Sequence, residues 1–397
     1  MTTLTLLVLV FGLVAMSFTW ACELCVFVVR RRRKEALRLP PISVLKPLKG
    51  ADADLYENLV SFVTQDYPTF ELVFACEEIN DPALLVVRRL QEDFPRAAIT
   101  VVAGGKPIGH NPKINNLNQA AEVARYDHLL ISDADVRVDP QYLRAMAAEL
   151  VDSRVGLVSS PIIGTGEGTL GSTLDNLHLN TFVLASVCAA PVFAQHACVV
   201  GKSMLFRRSD LLRLGGWSKV KDVLAEDYVL GQLFQNAGYR VALSSYAIRA
   251  INRHRSMADF SARHVRWGQM RRKLAGSLYW LEPLMLPSAW FALALGLLLL
   301  QQATPLLATL FWITMTAWGL RVLWTSLLIH SLRGRLLSPT ALALVPFKDL
   351  WVVGLWLYAA VNTQVNWRGN KFQIGEGSLL SPVPTPRVAH GALTVDL

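Results

Sequence analysis

The chain has 397 residues, of which 52% are hydrophobic and only 17% charged, where an average soluble domain carries roughly 25% charge. With a mean hydropathy of +0.34, that composition excludes intrinsic disorder, a collagen-like fibre and a purely soluble enzyme, and it requires part of the chain to meet lipid. The 39 Lys and Arg against 30 Asp and Glu leave +9, which suits a cytoplasmic face on anionic lipid and an anionic substrate; without a compact basic stripe interleaved with aromatics, nucleic acid is not an expected partner.

In chain order, the first element is an apolar run over 4–29, interrupted only by Glu23 and long enough to cross about 30 Å of hydrocarbon. Five consecutive basic residues, Arg30 to Lys34, follow it. A secretory signal peptide carries its charges before the apolar run, so the order predicts a retained anchor. The positive-inside rule then places the chain from Arg30 onward in the cytoplasm.

Between 40 and 276 the pattern becomes one of alternating strands and helices. PISVLKPLKG, FELVFACEE, ITVVAG and HLLISDADV read as strands, and helical spacing follows at Asp54 to Val63, Pro82 to Phe94 and Asn115 to Arg125. Such alternation predicts βαβ units and a parallel sheet, whose ligands bind beyond the carboxyl ends of the strands. A second greasy region covers 279–365, with breaks at Gln301 to Pro305 and at Arg333 to Arg335. These breaks predict spans at 284–300 and 306–330. A third candidate, 341–362, contains Pro346, Lys348 and Asp349, and either spans or lies re-entrant. The Pro-rich stretch 378–397 is expected to be a disordered tail. The five cysteines are odd in number and scattered, which fits a reducing compartment rather than a disulfide framework.

Acidic residues gather at the predicted strand ends. Asp133 and Asp135 place alternate carboxylates at the sheet edge, where hard oxygen ligands can hold the divalent cation that a nucleotide diphosphate needs. Lys46 closes the first strand; Glu77 and Asp81 follow the second, where they can accept from a uracil ring or ribose hydroxyls. Lys113, in HNPKINNL, offers a cation to a diphosphate. Asp227, in LAEDY, opens a helix and suits a general base aimed at an acceptor hydroxyl. Arg263, Arg266 and Trp267 share one face of a basic helix, where they can clamp a leaving diphosphate or rest on anionic lipid. His196 and Cys198 are read as packing.

The motifs KPLKG, QDYP, NDP, NPKINNL, SDADVRV, LAEDY and RHVRW occur in that order. Together they resemble the family 2-like processive and lipid glycosyltransferases, and most closely the ceramide glucosyltransferases. The resemblance covers about 42–274 and implies a GT-A fold, α/β and Rossmann-like, with transmembrane helices on both sides. It also implies a UDP-sugar donor, a ceramide-like membrane lipid as acceptor, and inversion at the sugar. By the same resemblance, the three family aspartates fall on Asp81, Asp133 and Asp227. Asp133 would hold donor sugar or ribose, Asp135 would help bind Mg or Mn, and Asp227 would take the acceptor proton. Arg266 and Trp267 would secure the diphosphate. A related bacterial group acting on hopanoids, with UDP-N-acetylglucosamine as donor, shares the motif order and differs in acceptor. The Arg-over-Lys bias points to a bacterial inner membrane.

Overall fold

The computed structural model describes residues 1–36, 38–194, 198–367 and 370–383. Its first element is α1 (Thr2–Arg31), a helix ended by basic residues that complement its carboxyl dipole. The chain then alternates as expected: β1 (Ile42–Leu48), α2 (Leu55–Val63), β2 (Phe70–Cys76), α3 (Ala83–Asp93), β3 (Ile99–Ala103), α4 (Pro112–Val123) and β4 (His128–Ser132). α4 starts three residues before the predicted Asn115. Asn111 caps it by accepting from the backbone N–H groups of Lys113 and Ile114, and Pro112 supplies a pre-set helical φ.

Further strands follow in β5 (Val136–Arg137), then α5 (Tyr142–Ala148), β6 (Val155–Ser159) and β7 (Ile162–Thr165). α6 (Leu170–His178) runs through a π turn into α7 (Leu184–Phe193), and the chain returns as β8 (Ser203–Arg207) and α8 (Arg208–Arg213). α9 (Glu226–Asn236), β9 (Arg240–Leu243), β10 (Ile248–Ile251) and α10 (Met257–Ala275) complete the domain.

The main sheet has seven strands in the order β3-β2-β1-β4-β8-β6-β9. It is mixed, where the alternation alone predicts parallel pairing. β1 pairs in parallel with β2 and β4, but β8 runs antiparallel to both β4 and β6. The reason lies in the 170–193 helices, which leave the chain at the carboxyl end of β4, so that Ser203 enters opposite Ser132 and travels back. A second sheet, β5-β10-β7, carries the chain beyond Asp135 away from the first. Apolar side chains pack both faces of the main sheet, with Val44, Phe62, Phe74 and Leu130 on one side and Leu45, Ile114, Leu129 and Phe206 on the other.

Beyond α10, a 3₁₀ stretch (Gly276–Met285) leads through a 63° bend into α11 (Pro287–Leu299). The 13 residues of α11 reach about 20 Å at 1.5 Å per residue, short of the ~30 Å hydrocarbon core. The predicted span 284–300 is therefore one arm of a bent pair rather than a straight crossing. α12 (Pro305–Arg333) and α13 (Pro339–Val361) are continuous. In α13, Lys348 and Asp349 are buried and pair with each other, and Lys348 donates to Thr181 Oγ1 at 3.3 Å, so neither charge faces lipid. Among the described residues, four helices are long and apolar enough to cross a membrane, by length and composition: α1, Leu170–Phe193, α12 and α13. The chain is an integral membrane protein.

Three last strands, β11 (Gln364–Trp367), β12 (Asn370–Ile374) and β13 (Leu380–Pro382), form a small antiparallel sheet. Residues 378–383 of the expected disordered tail are thus in place, and 384–397 lie outside the described residues. Composition misleads here because the stretch 378–380 borrows its partners: the Leu224 N–H donates to Ser378 O at 2.9 Å and the Leu380 N–H donates to Asp222 O at 2.8 Å.

α1 and α12 are joined by an ion pair sealed from solvent. Arg321 Nη1 donates to both oxygens of Glu23 at 2.9 and 2.8 Å, and the Trp324 indole N–H donates to Glu23 Oε2 at 2.7 Å. Removing one partner leaves a buried uncompensated charge, at a cost of roughly 3–5 kcal/mol, whereas replacing both by apolar groups is close to neutral. Thermal unfolding in detergent should therefore show Glu23→Ala strongly destabilised and the Glu23→Met/Arg321→Met double variant largely restored.

Candidate active site

The carboxyl ends of β1 and β4, the loop before α9 and the middle of α10 enclose a cavity of about 410 Å3. Asp133, Asp135, Lys113, Asp227, Arg263, Arg266 and Trp267 line it, so seven of the ten residues proposed from the sequence converge on one site. Lys202, Arg255, Glu226, Lys49 and Asp52 join them.

The other three stand behind the site. Lys46 is fully buried; its ammonium lies 3.6 Å from the Phe62 ring centre and donates to Ser132 Oγ at 3.2 Å and to the Asp133 carbonyl at 2.9 Å. Burial pushes its pKa down to about 7, against the pull of Asp133 and Asp135. It props the Asp133 turn from below instead of meeting a ligand. Asp81 is likewise spent on backbone, accepting from the Gly50 N–H at 2.9 Å and the Ala83 N–H at 2.8 Å, which ties the β1 loop to the start of α3. Glu77 lies 4.0 Å from Lys49 at the rim.

Two carboxylates organise the interior. Asp133 receives Lys113 at 3.0 Å and Lys202 at 3.5 Å. Asp135 is bonded to Lys202, with Arg255 at 3.5 Å and Arg263 at 3.7 Å. Burial alone would raise both carboxyl pKa values, but these cations outweigh it and hold both below the usual carboxylate range. Burial likewise disfavours charge on Lys113, yet Asp133, Glu226 and Asp227 hold its pKa above the ordinary lysine value. Among the described residues, no group of three or more His, Cys, Asp or Glu side chains is arranged as a metal cage.

Asp227 is different in kind. Its carboxylate makes no ion pair within 4 Å among the described residues; it accepts from the Gly201 N–H at 2.7 Å and from the Tyr228 N–H at 2.8 Å. Burial, then the adjacent Glu226 charge, push its pKa up to about 6, in spite of Lys113 and the two backbone donors. Glu226 itself is bound by Lys113 at 2.9 Å.

Arg263 reaches the cavity with its guanidinium largely committed. It donates to Asp175 at 2.6 Å and to Asn252 Oδ1 at 3.2 Å, and sits 5.2 Å from the Trp267 ring centre. Asp175 also takes His264 at 2.8 Å and Arg255 at 3.2 Å, so this fully buried carboxylate on α6 aligns the basic face of α10. The sequence reading missed Asp175, Lys202 and Arg255. Asp175 sits in an apolar helix with no motif around it, while Lys202 follows Gly201 within the QHACVVGKS stretch, a Gly-Lys signal that was available. His196 lies outside the described residues. Cys198 packs in the domain core, with its thiol pushed up to about 11 by burial.

The model of "Glycosyl transferase family 21" matches residues 2–380 of this sequence. The chain belongs to that family. It is accordingly a hexosyltransferase that draws on a nucleotide-linked sugar. Among its relatives, "Ceramide glucosyltransferase 3" of Caenorhabditis elegans is 29% identical over 362 residues, covering 88% of this chain and 76% of that one. "Ceramide glucosyltransferase 1" of the same organism is 28% identical, covering 85% and 72% respectively. A mannosyltransferase from Pyrobaculum calidifontis, solved with GDP-Man and Mn2+, superposes with a TM-score of 0.50 at 20% identity, over 87% of this chain and 99% of that one. That likeness shows the fold: the α/β domain is GT-A.

Gly201 is where the Asp227 geometry can be probed without touching a charge. A Cβ there would stand 2.7 Å from Asp227 Oδ2 and 3.0 Å from its Cβ, so something must shift. Gly201→Ala should reduce kcat at least tenfold with little change in donor affinity, measured by steady-state kinetics and donor-nucleotide binding on the same preparation.

Proposed function

We propose that the protein transfers glucose from UDP-glucose to the primary hydroxyl of ceramide, with inversion at the sugar, giving glucosylceramide. The observation that carries this reading is the contrast among the cavity carboxylates. Asp133, Asp135 and Glu226 are bound to cations, whereas Asp227 lines the same cavity with no ion pair among the described residues and with its proton affinity raised. A carboxylate with pKa near 6 is matched to accept a proton near neutral pH.

In the reading, Asp227 takes the acceptor hydroxyl proton as that oxygen attacks the anomeric carbon. The bond to the nucleotide diphosphate breaks on the opposite face. Lys113, Lys202, Arg263 and Arg266, with Trp267, receive the charge that develops on the leaving diphosphate. Asp133 positions the donor sugar or ribose. The Asp133 and Asp135 pair fits a Mg or Mn ion, because such ions are held by one or two carboxylates together with substrate phosphates rather than by a complete protein cage. Held there by Asp133 and Asp135, the ion would supply neutralisation of diphosphate charge.

The relatives' names support ceramide as acceptor, and the placement of the site supports a lipid. Leu224, Met270 and Trp267 give one wall an apolar surface, and α10 continues directly toward the apolar helices. The Arg30 to Lys34 run after α1 supports a catalytic domain on the cytoplasmic side of a bacterial inner membrane.

The purified protein, given UDP-glucose, UDP-galactose and UDP-N-acetylglucosamine against ceramide, diacylglycerol and a polyol hopanoid, should yield glucosylceramide by mass spectrometry of the lipid products. Product on hopanoid alone would replace the acceptor and leave the site chemistry standing. Asp227→Asn should lower turnover about 10²–10⁴-fold while UDP binding persists; near-normal turnover would reject the base assignment.

The acid limb provides a second check. Below its pKa Asp227 is protonated and cannot accept, so kcat/KM should fall as pH drops through about 6. Glu226→Gln removes the like charge that raises Asp227, and should move that limb to lower pH. A limb that stays in place in a pH series would detach it from Asp227.

A further inference from the structure

A second charged cavity, sharing no lining residue with the first, lies where the apolar helices emerge beside the catalytic domain. It measures about 600 Å3 and is lined by seven arginines and one carboxylate, Asp139. Its walls come from three sources. Arg30 and Arg33 lie at the end of α1, Arg333 and Arg335 at the end of α12, and Arg137, Arg249 and Arg253 on or just after strands of the β5-β10-β7 sheet. Arg30 Nη1 donates to Ser331 O at 3.2 Å, which sets the ends of α1 and α12 at one level.

The internal charge balance is incomplete. Arg137 and Arg253 share Asp54 at 3.5 and 3.4 Å, Arg249 pairs with Asp139, and Arg333 and Arg335 share Glu167 at 2.6 and 2.9 Å. Three carboxylates thus face seven arginines, an excess of four positive charges, and Arg30 and Arg33 pair with no acidic side chain among the described residues. Grouping like charges around a concave site is unfavourable unless an anion completes it.

An adjoining cavity of about 590 Å3 shares Gly166, Arg253, Arg333 and Arg335 with this arginine-lined cavity. It continues along α12 and α13, with Ile329, Leu337, Ala341 and Leu344 as an apolar wall alongside the polar Glu167, Thr173, Ser338 and Thr340 in the same lining. A basic chamber opening onto a cleft that has one apolar wall, between two helices, matches the polarity of a single amphiphile. A dissolved phosphate would use only the first chamber.

We propose that this pair of cavities binds one anionic phospholipid, its phosphodiester in the arginine chamber and an acyl chain along the α12/α13 cleft, as a site separate from that of donor and acceptor. Arg33 and Arg249 hold the headgroup from opposite walls. Arg31 and Arg32 belong to the same basic run but line a different surface, with Leu24, Phe27 and Val28, and do not take part.

Native mass spectrometry of the full chain in detergent, titrated with phosphatidylglycerol or phosphatidylcholine, tests this directly. The expected result is one phosphatidylglycerol retained in preference to phosphatidylcholine. Arg33→Gln and Arg249→Gln should each weaken it about fivefold, the effect of one basic residue on an anionic headgroup, and Arg31→Gln, of identical net charge, should leave it unchanged. Arg249 lies on β10, away from the helix ends, so it decides the matter if Arg33→Gln disturbs insertion. Equal weakening by all three variants would reduce the site to surface electrostatics and overturn the proposal. So would equal retention of the two lipids, or displacement of phosphatidylglycerol by millimolar inorganic phosphate.

Discussion

Two carboxylates on one turn, Asp133 and Asp135 beyond β4, hold the catalytic domain in register with everything packed around it. Their four cations come from four places: Lys113 from α4, Lys202 from the turn before β8, Arg255 from the loop after β10, and Arg263 from α10. Lys113, Lys202 and Arg263 are buried charges, tolerable only when paired, so their pairing with these carboxylates holds the elements that carry them in position relative to β4. A second buried carboxylate, Asp175, extends the same constraint to α6 by taking Arg255, Arg263 and His264. The chemistry of the site and the docking of the helices onto the sheet are in this sense one arrangement.

The arrangement also separates the carboxylates by proton affinity. Cations beside Asp133 and Asp135 keep both ionised under all physiological conditions, which suits groups that must meet cationic or hydroxyl partners without changing state. Asp227 sits a short distance away, with backbone N–H groups as its hydrogen-bond donors among the described residues, and burial moves its proton affinity toward neutrality. Neighbouring carboxylates with opposite perturbations are a physical basis for dividing binding from proton transfer.

The membrane portion shows the same logic in a less polar setting. Glu23 with Arg321, and Lys348 with Asp349, are charges in apolar helices that turn toward the protein and find one another. They join α1 to α12 and anchor α13 against the 170–193 helices. The C-terminal sheet then folds back onto the loop that precedes Glu226 and Asp227, with Leu224 packed against Val365, Phe372, Ile374 and Leu380. Membrane anchor, catalytic loop and C-terminal strands are thus continuous with one another, which fits a soluble donor meeting a greasy acceptor at one surface.

Local pattern in the sequence was enough for the elements that depend on local forces. Alternating apolar runs with cap residues marked β1 to β4 and α2 to α4, hydropathy marked α1, α12 and α13, acidic residues after a strand singled out Asp133 and Asp135, and an acidic helix start singled out Asp227. Pairing partners were a different matter, because they are separated by tens to hundreds of residues and leave no periodic trace. The antiparallel entry of β8, the bend before α11, the burial of Lys46 beneath the Asp133 turn and the diversion of Asp81 to backbone capping all follow from such long-range contacts. So does the order in 378–383, whose hydrogen bonds go to Asp222, Leu224 and Ala225. Residue type and spacing determined which groups could do the chemistry. Only the tertiary structure decided which carboxylate would be stripped of counter-ions and desolvated, since a proton affinity is set by what surrounds a group in space and not by its neighbours in the chain.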